Sequence, residues 1–200
     1  MIDNPFRQVL PKYSSQLIRL YKYLRLTPNH ITLLGVLIGF FSAFLVSRRE
    51  FIWAGIVWWC GRLLDGTDGI YARAIGQSSG FGAFLDILSD MAAYSSMIVG
   101  FAIAFPEIHF NWMAILFLYV LCITGALSLG NLEDKNKVLG RDNRGLRLAA
   151  GIAEGGETGV AYTLFLLFPS DVDILSKVWI LILMLTVISR ILLARKELRL

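Results

Sequence analysis

The sequence predicts an all-α integral membrane protein: a bundle of six transmembrane helices preceded by an amphipathic helix lying at the membrane interface. Three observations carry that prediction. The 200 residues are 56% hydrophobic with a mean hydropathy of +0.62, above the roughly 45–50% apolar share of soluble domains. Apolar windows near the roughly 20 residues that span a bilayer recur along the whole chain. Of the 19 Lys and Arg residues, 13 fall in three places, Arg7 to Arg25, Lys135 to Arg147 and Arg195 to Arg199, which six spans would put on one face.

The elements follow in order. Segment 6–25 sets Phe6, Val9, Leu10, Leu17, Ile18, Leu20 and Tyr21 among basic residues, the pattern of a helix in the headgroup plane; its plainer reading is a solvated positive flank. Thr27-Pro28-Asn29 breaks that helix, and Thr27 or Asn29 is placed to cap the next one. Apolar windows then run over 30–48, 51–64 continuing into a polar half, 80–104, 111–132, 148–168 and 174–194. The turns of the opposite face hold only Arg48, Arg49 and Lys177, so the positive-inside rule puts both termini in the cytoplasm. Asp3, Arg7, Lys12, Arg19, Lys22 and Arg25 interrupt the first 25 residues, so no cleavable signal is expected. Without repeats, low-complexity tracts or linkers, residues 1–200 read as one domain, and no nucleic-acid partner is expected. Cys60 and Cys122 stand alone inside spans as small fillers. Trp53, Trp58, Trp59 and Trp112 are expected at lipid-facing or interfacial positions, and His30 and His109 lie at span edges with no ligand pattern around them.

The chemistry concentrates in the second and third spans, where Asp65, Asp68, Asp86 and Asp90 stand in segments that should carry no acids. A carboxylate near the bilayer centre costs about 2.5–3.5 kcal/mol even on lenient scales, so four require compensation. Asp65 and Asp68 are three apart and Asp86 and Asp90 four apart, so each pair shares a helical face. Asp68 and Asp86 each lie seven residues from the expected turn at 75–79, which at about 1.5 Å per residue puts both pairs roughly 10 Å deep. Arg62 and Arg73 are too few to balance four acids. An all-oxygen set with no His or Cys suits a hard cation such as Mg²⁺, Mn²⁺ or Ca²⁺, and two such ions match the template for in-line displacement at phosphorus. Gly66, Gly69, Gly76, Gly80 and Gly82 strip side chains from the same stretch, either for tight helix packing or for close approach of a flat ligand.

Read together, Asp65-x2-Asp68-Gly69-x2-Ala72-Arg73-x8-Gly82-x3-Asp86-x3-Asp90 resembles the signature of the CDP-alcohol phosphotransferases, also called CDP-alcohol phosphatidyltransferases, at all eight of its fixed positions. The lead-in Thr27-Pro28-Asn29-His30-Ile31-Thr32 is similar to the family's as well. The resemblance implies a six-helix bundle, a homodimer and a polar cavity open to the cytoplasm. It further implies that Asp65, Asp68, Asp86 and Asp90 hold two divalent cations, Mg²⁺ or Mn²⁺, with the donor's pyrophosphate on them. Gly69, Ala72 and Gly82 would line a cytidine pocket, Arg73 would contact the phosphates, and Asp86 and Asp90 would be the catalytic acids, Asp90 as general base.

The activity so implied is transfer of a phosphoalcohol group, phosphatidyl by preference, from a CDP-alcohol such as CDP-diacylglycerol to an acceptor alcohol, with release of CMP, in phospholipid biosynthesis. One alternative within the family is a CDP-amino-alcohol donor and a diacylglycerol acceptor. Another, from a different class, is a cation transporter using the intramembrane acids; against it, no polar residues continue through the outer halves of the two spans. Outside the motif, Glu154 and Glu157 share a helical face, and either bind acceptor hydroxyls or pair with Arg147, Arg62 or Arg190. Lys135, Lys137, Arg141 and Arg144 form a loop that either draws in a phosphorylated acceptor or anchors on anionic lipid. Arg190, within the last span, calls for an anionic partner.

Overall fold

The computed structural model describes residues 15–135 and 155–197. All their regular structure is helical: α1 (Ser15–Tyr23), α2 (Pro28–Ser47), α3 (Phe51–Ala74), α4 (Gly80–Ala104), α5 (His109–Lys135), α6 (Gly155–Leu167) and α7 (Val172–Glu197), with 3-10 turns Pro106–Ile108 and Pro169–Asp171 leading into α5 and α7. Four segments among the described residues are long and apolar enough to cross a membrane: Pro28–Ser47, Gly80–Ala104, Pro106–Asn131 and Pro169–Lys196. With 24 residues, α3 is long enough, but Arg62, Asp65, Asp68 and Arg73 fill its second half. For α6, 13 residues are described. The polar half expected after the window 51–64 is a continuation of the same helix, and the window 80–104 coincides with α4. Phe6, Val9, Leu10, Lys137, Arg141, Arg144, Arg147, Glu154 and the first part of the window 148–168 lie outside the described residues.

Local chemistry sets the ends of the helices that matter. Thr27 caps α2 in a reciprocal box: its Oγ1 accepts from the His30 amide at 3.3 Å, and His30 Nδ1 accepts from the Thr27 amide at 3.4 Å. The imidazole thus does what a glutamate does in the usual capping box. At the end of α3 the chain closes a Schellman turn, with Gly76 at φ +68°, its amide on the Arg73 carbonyl at 3.3 Å and the Gln77 amide on that of Ala72 at 2.9 Å. Three residues later Ser79 caps α4, its Oγ accepting from the Gly82 amide at 3.0 Å. This short turn brings α4 back beside α3.

Helix α2 packs against both α3 and α4, and α5 packs against α7. Small residues permit the first pair of contacts. A Cβ built on Gly61 of α3 would sit 3.2 Å from the Gly35 carbonyl oxygen of α2, and one on Gly100 of α4 would sit 2.5 Å from the Ala43 carbonyl oxygen. Backbones this close leave no room for a methyl group.

An aromatic core fills the bundle. Trp58 and Tyr162 rings lie 5.3 Å apart, and Phe101 stacks on Trp112 at 5.4 Å. Tyr162 donates to the Tyr94 carbonyl at 2.8 Å, the Tyr119 and Tyr162 hydroxyls lie 3.0 Å apart, and Trp179 Nε1 donates to the Tyr119 hydroxyl at 3.0 Å. These bonds join α4, α5, α6 and α7. Two of the tryptophans expected at lipid-facing or interfacial positions are therefore core residues: Trp58 and Trp112 are 0% and 1% exposed, whereas Trp53 and Trp59 face outward. Aromatic pairing across four helices outweighs the interfacial preference of the indole ring. Cys122 is buried and Cys60 is exposed.

Candidate functional site

The acids meet where α3 and α4 flank their tight turn. One carboxylate oxygen from each of Asp65, Asp68 and Asp86 lies within 4.8 Å of the others. The i,i+3 spacing on α3 and the Gly76 to Ser79 turn produce this directly, since Ser79 pins Gly82 and so fixes the register of Asp86 one turn further on. Asp68 is buried and accepts a hydrogen bond from Thr32 Oγ1 of α2. Asp90 is turned toward α3, where Arg62 Nη1 donates to it at 2.5 Å. The same nitrogen lies 3.3 Å from Asp65 Oδ2 and 3.3 Å from the Tyr94 hydroxyl.

Helix α1 and its linker brace the motif from outside. The Tyr21 hydroxyl lies 2.9 Å from Thr67 Oγ1, beside Asp68, and the Tyr71 hydroxyl donates to the Leu26 carbonyl at 3.1 Å. The two rings meet edge to face at 5.5 Å, and with Ile31 they form a small apolar cluster against which Leu17 and Ile18 pack. Burial pushes the Tyr21 phenol above its ordinary range, against the lowering effect of the Thr67 hydrogen bond.

The small residues of the motif keep the surface open around the acids. A Cβ at Gly69 would lie 3.4 Å from Arg73 Nη1; one at Gly82 would lie 3.3 Å from Ser79 Oγ and 3.5 Å from Asn29 Oδ1. Arg73 is exposed, and Ala72 is half-buried. Three convergent carboxylates with only oxygen donors fit a hard divalent cation, with Asp65, Asp68 and Asp86 as the residues that would hold it.

The chain matches the model of the CDP-alcohol phosphatidyltransferase family over residues 25–192. It belongs to that family. Within the family it is 36% identical to an archaetidylinositol phosphate synthase of Pyrococcus horikoshii over 99 residues, 48% of this chain and 53% of that protein. It is 29% identical to the inner membrane protein YnjF of Escherichia coli (strain K12) over 175 residues, 85% of this chain and 84% of the other. The fold is also that of a Mycobacterium tuberculosis phosphatidylinositol phosphate synthase. The crystal structure of that enzyme with CDP-DAG bound superposes with a TM-score of 0.67 at 19% identity, covering 90% of this chain and 92% of that one. The same enzyme has also been crystallised with manganese and citrate. Family membership and the four apolar helices together describe an integral membrane protein of that family.

Among the residues singled out from the sequence, the structure brings Asp65, Asp68 and Asp86 together and sets Asp90 beside them on Arg62. Gly69, Ala72, Arg73 and Gly82 occupy the turns of α3 and α4 that flank the acids. Glu157 stands in the first turn of α6, the helix whose Gly155 approaches the Tyr94 hydroxyl so closely that a Cβ there would lie 2.9 Å from it. Arg190 is buried and donates to the Cys122 carbonyl of α5. Sequence reasoning gave no role at the site to Thr32 or Tyr94 and placed Tyr21 only among the apolar residues of the interfacial helix. Thr32 sits in the conspicuous lead-in to α2, which was its only signal; nothing local pointed to the two tyrosines.

Proposed function

We propose that this chain transfers a phosphatidyl-type group from a CDP-linked lipid such as CDP-diacylglycerol to a small polar alcohol and releases CMP. The observation that carries the proposal is the convergence of Asp65, Asp68 and Asp86 within 4.8 Å on the family's own motif. A phosphorylated inositol is the first acceptor to test, since it is the headgroup of the lipids that the names of the Pyrococcus and Mycobacterium relatives give as products. The setting we infer is a six-span bundle in which α3 and α6 also cross, with α1 at the interface, both termini and the cavity facing the cytoplasm, and the whole chain acting as one domain in a homodimer. The charged half of α3 then lies against protein and cavity instead of lipid, which offsets the cost of its acids.

In this reading Asp65, Asp68, Asp86 and Asp90 serve two divalent cations, Mg²⁺ or Mn²⁺. When bound, such ions neutralise the acids and the donor's pyrophosphate and act as Lewis acids at the phosphoryl oxygens. Arg73 holds the donor phosphates, and Gly69, Ala72 and Gly82 leave a flat surface for the cytidine. Asp90 accepts the proton of the acceptor hydroxyl; the oxygen so freed attacks the phosphorus bearing the lipid alcohol, the bond to the cytidylyl phosphate breaks, and CMP leaves on the opposite side. Thr32 keeps Asp68 oriented throughout.

The test is release of CMP by the purified protein in lipid nanodiscs, supplied with radiolabelled CDP-diacylglycerol and Mn²⁺. Inositol phosphate, glycerol phosphate and serine are offered in turn, with CDP-amino-alcohol plus diacylglycerol as a separate arm. The proposal expects release that needs both an acceptor and the divalent ion. CMP release from the amino-alcohol arm alone would reverse donor and acceptor, and none in any arm would refute the activity.

A further inference from the structure

The guanidinium of Arg62 is held in place from several sides. Its carbon lies 4.9 Å from the Trp58 ring centre and 5.1 Å from that of Tyr94, and the two ring centres are 5.9 Å apart, so the guanidinium rests against a corner formed by two aromatic rings. The side chain is 10% exposed, and its Nη1 alone serves Asp90 at 2.5 Å, Asp65 at 3.3 Å and the Tyr94 hydroxyl. Nε is buried with no acceptor among the described residues, so the group is gripped by the rings and by the acids. Trp58 is itself wholly buried and braced by Tyr162, so this wall of the site cannot move without disturbing the aromatic core. A flexible surface arginine satisfies its acids opportunistically; this one is built into the bundle beside them.

We propose that Arg62 is a fixed counter-cation of the acid site, a positioning residue that holds Asp65 and Asp90 together in the ion-free bundle and opposes the binding of divalent ions there. The inference rests on the metal-site reading above and adds to it the control of ion affinity. One guanidinium against four carboxylates leaves the ion-free site acidic enough to attract cations. Its unit charge a few ångströms from where they would sit repels them and weakens their hold. Arg62 therefore does two opposed things: it stabilises the site without ions and lowers the site's affinity for them.

Those opposed effects give the test. Wild type and Arg62→Gln are purified in the same nanodiscs, and thermal unfolding is followed as Mn²⁺ is titrated from an EDTA-treated start. The expected result is that Arg62→Gln unfolds at a lower temperature than wild type in EDTA yet reaches half of its Mn²⁺-induced stabilisation at a concentration lower by about tenfold. A purely structural arginine would lower the first quantity and leave the second unchanged or raised, and that result overturns the proposal. If Arg62→Gln does not fold, Arg62→Met, which keeps an apolar stem against the rings and removes the charge, decides it. That variant's half-saturating concentration also falls by about tenfold, and a folded Met variant with the wild-type value overturns the proposal. Absence of any Mn²⁺ effect in wild type would instead refute the metal site itself, so the two failures are told apart.

Discussion

Replacing Asp86 by asparagine should make the ion-free protein more stable while destroying its response to divalent ions. The oxygens of Asp65, Asp68 and Asp86 lie within 4.8 Å, where two unit charges repel by about 3.5 kcal/mol at an effective dielectric of about 20. Asparagine keeps the shape of the side chain and removes the charge, relieving two such pairs. Arg62 and solvent at the half-open site screen most of that repulsion, which leaves a net gain of about 1–2 kcal/mol in EDTA, or about 2–8 °C for a chain of this size. With Mn²⁺ present the order inverts, since wild type gains ligand stabilisation that Asp86→Asn has lost. CMP release should fall by about 100-fold or more. The assay is thermal unfolding of both proteins in EDTA and in Mn²⁺, with CMP release measured on the same preparations. A variant less stable than wild type in EDTA, yet equally stabilised by Mn²⁺, would refute the reasoning.

Thr32→Val removes the hydroxyl that bonds to buried Asp68, which should cost about 1.5–3 kcal/mol and raise the half-saturating Mn²⁺ concentration; an unchanged ion titration would exclude its orienting role. Gly100→Ala places a methyl 2.5 Å from the Ala43 carbonyl and should destabilise by about 1–3 kcal/mol, seen in thermal unfolding with no change in the Mn²⁺ midpoint. The Tyr21 phenol binds its proton more tightly in the folded state because of burial, so its contribution holds through neutral pH and is lost as pH rises past about 10. Tyr21→Phe should flatten that alkaline loss of stability and also remove the bond to Thr67, lowering stability at neutral pH by about 1 kcal/mol.

Much of the fold was legible because helix periodicity and hydropathy are local. The third apolar window coincides with α4, and of the two candidates at the break Thr27-Pro28-Asn29 it is Thr27 that caps α2. Acid spacing showed which faces of α3 and α4 carry charge. It could not show that Asp90 turns to Arg62 while the other three converge, because that choice depends on the rotation of α4 against α3 and on the rings of Trp58 and Tyr94 against which Arg62 rests. Arg62 was visible as an i,i+3 neighbour of Asp65, yet counting charges hid its position. The two buried tryptophans misled for a related reason: an indole in an apolar span suits the membrane interface and a bundle core equally well, and only its neighbours distinguish them.

By itself the sequence determined a helical membrane protein, the turn between α3 and α4, and four acids spaced to share helical faces, since each depends on residues within a turn or two of one another. Tertiary structure alone decided which acids face one another, which hydroxyl supports Asp68 and what grips Arg62. Those outcomes follow from how near α2 can come to α3 and α4, which is set by Gly61 against Gly35 and by Gly100 against Ala43. Such contacts join residues far apart in the chain, and their geometry exists only once the helices have packed.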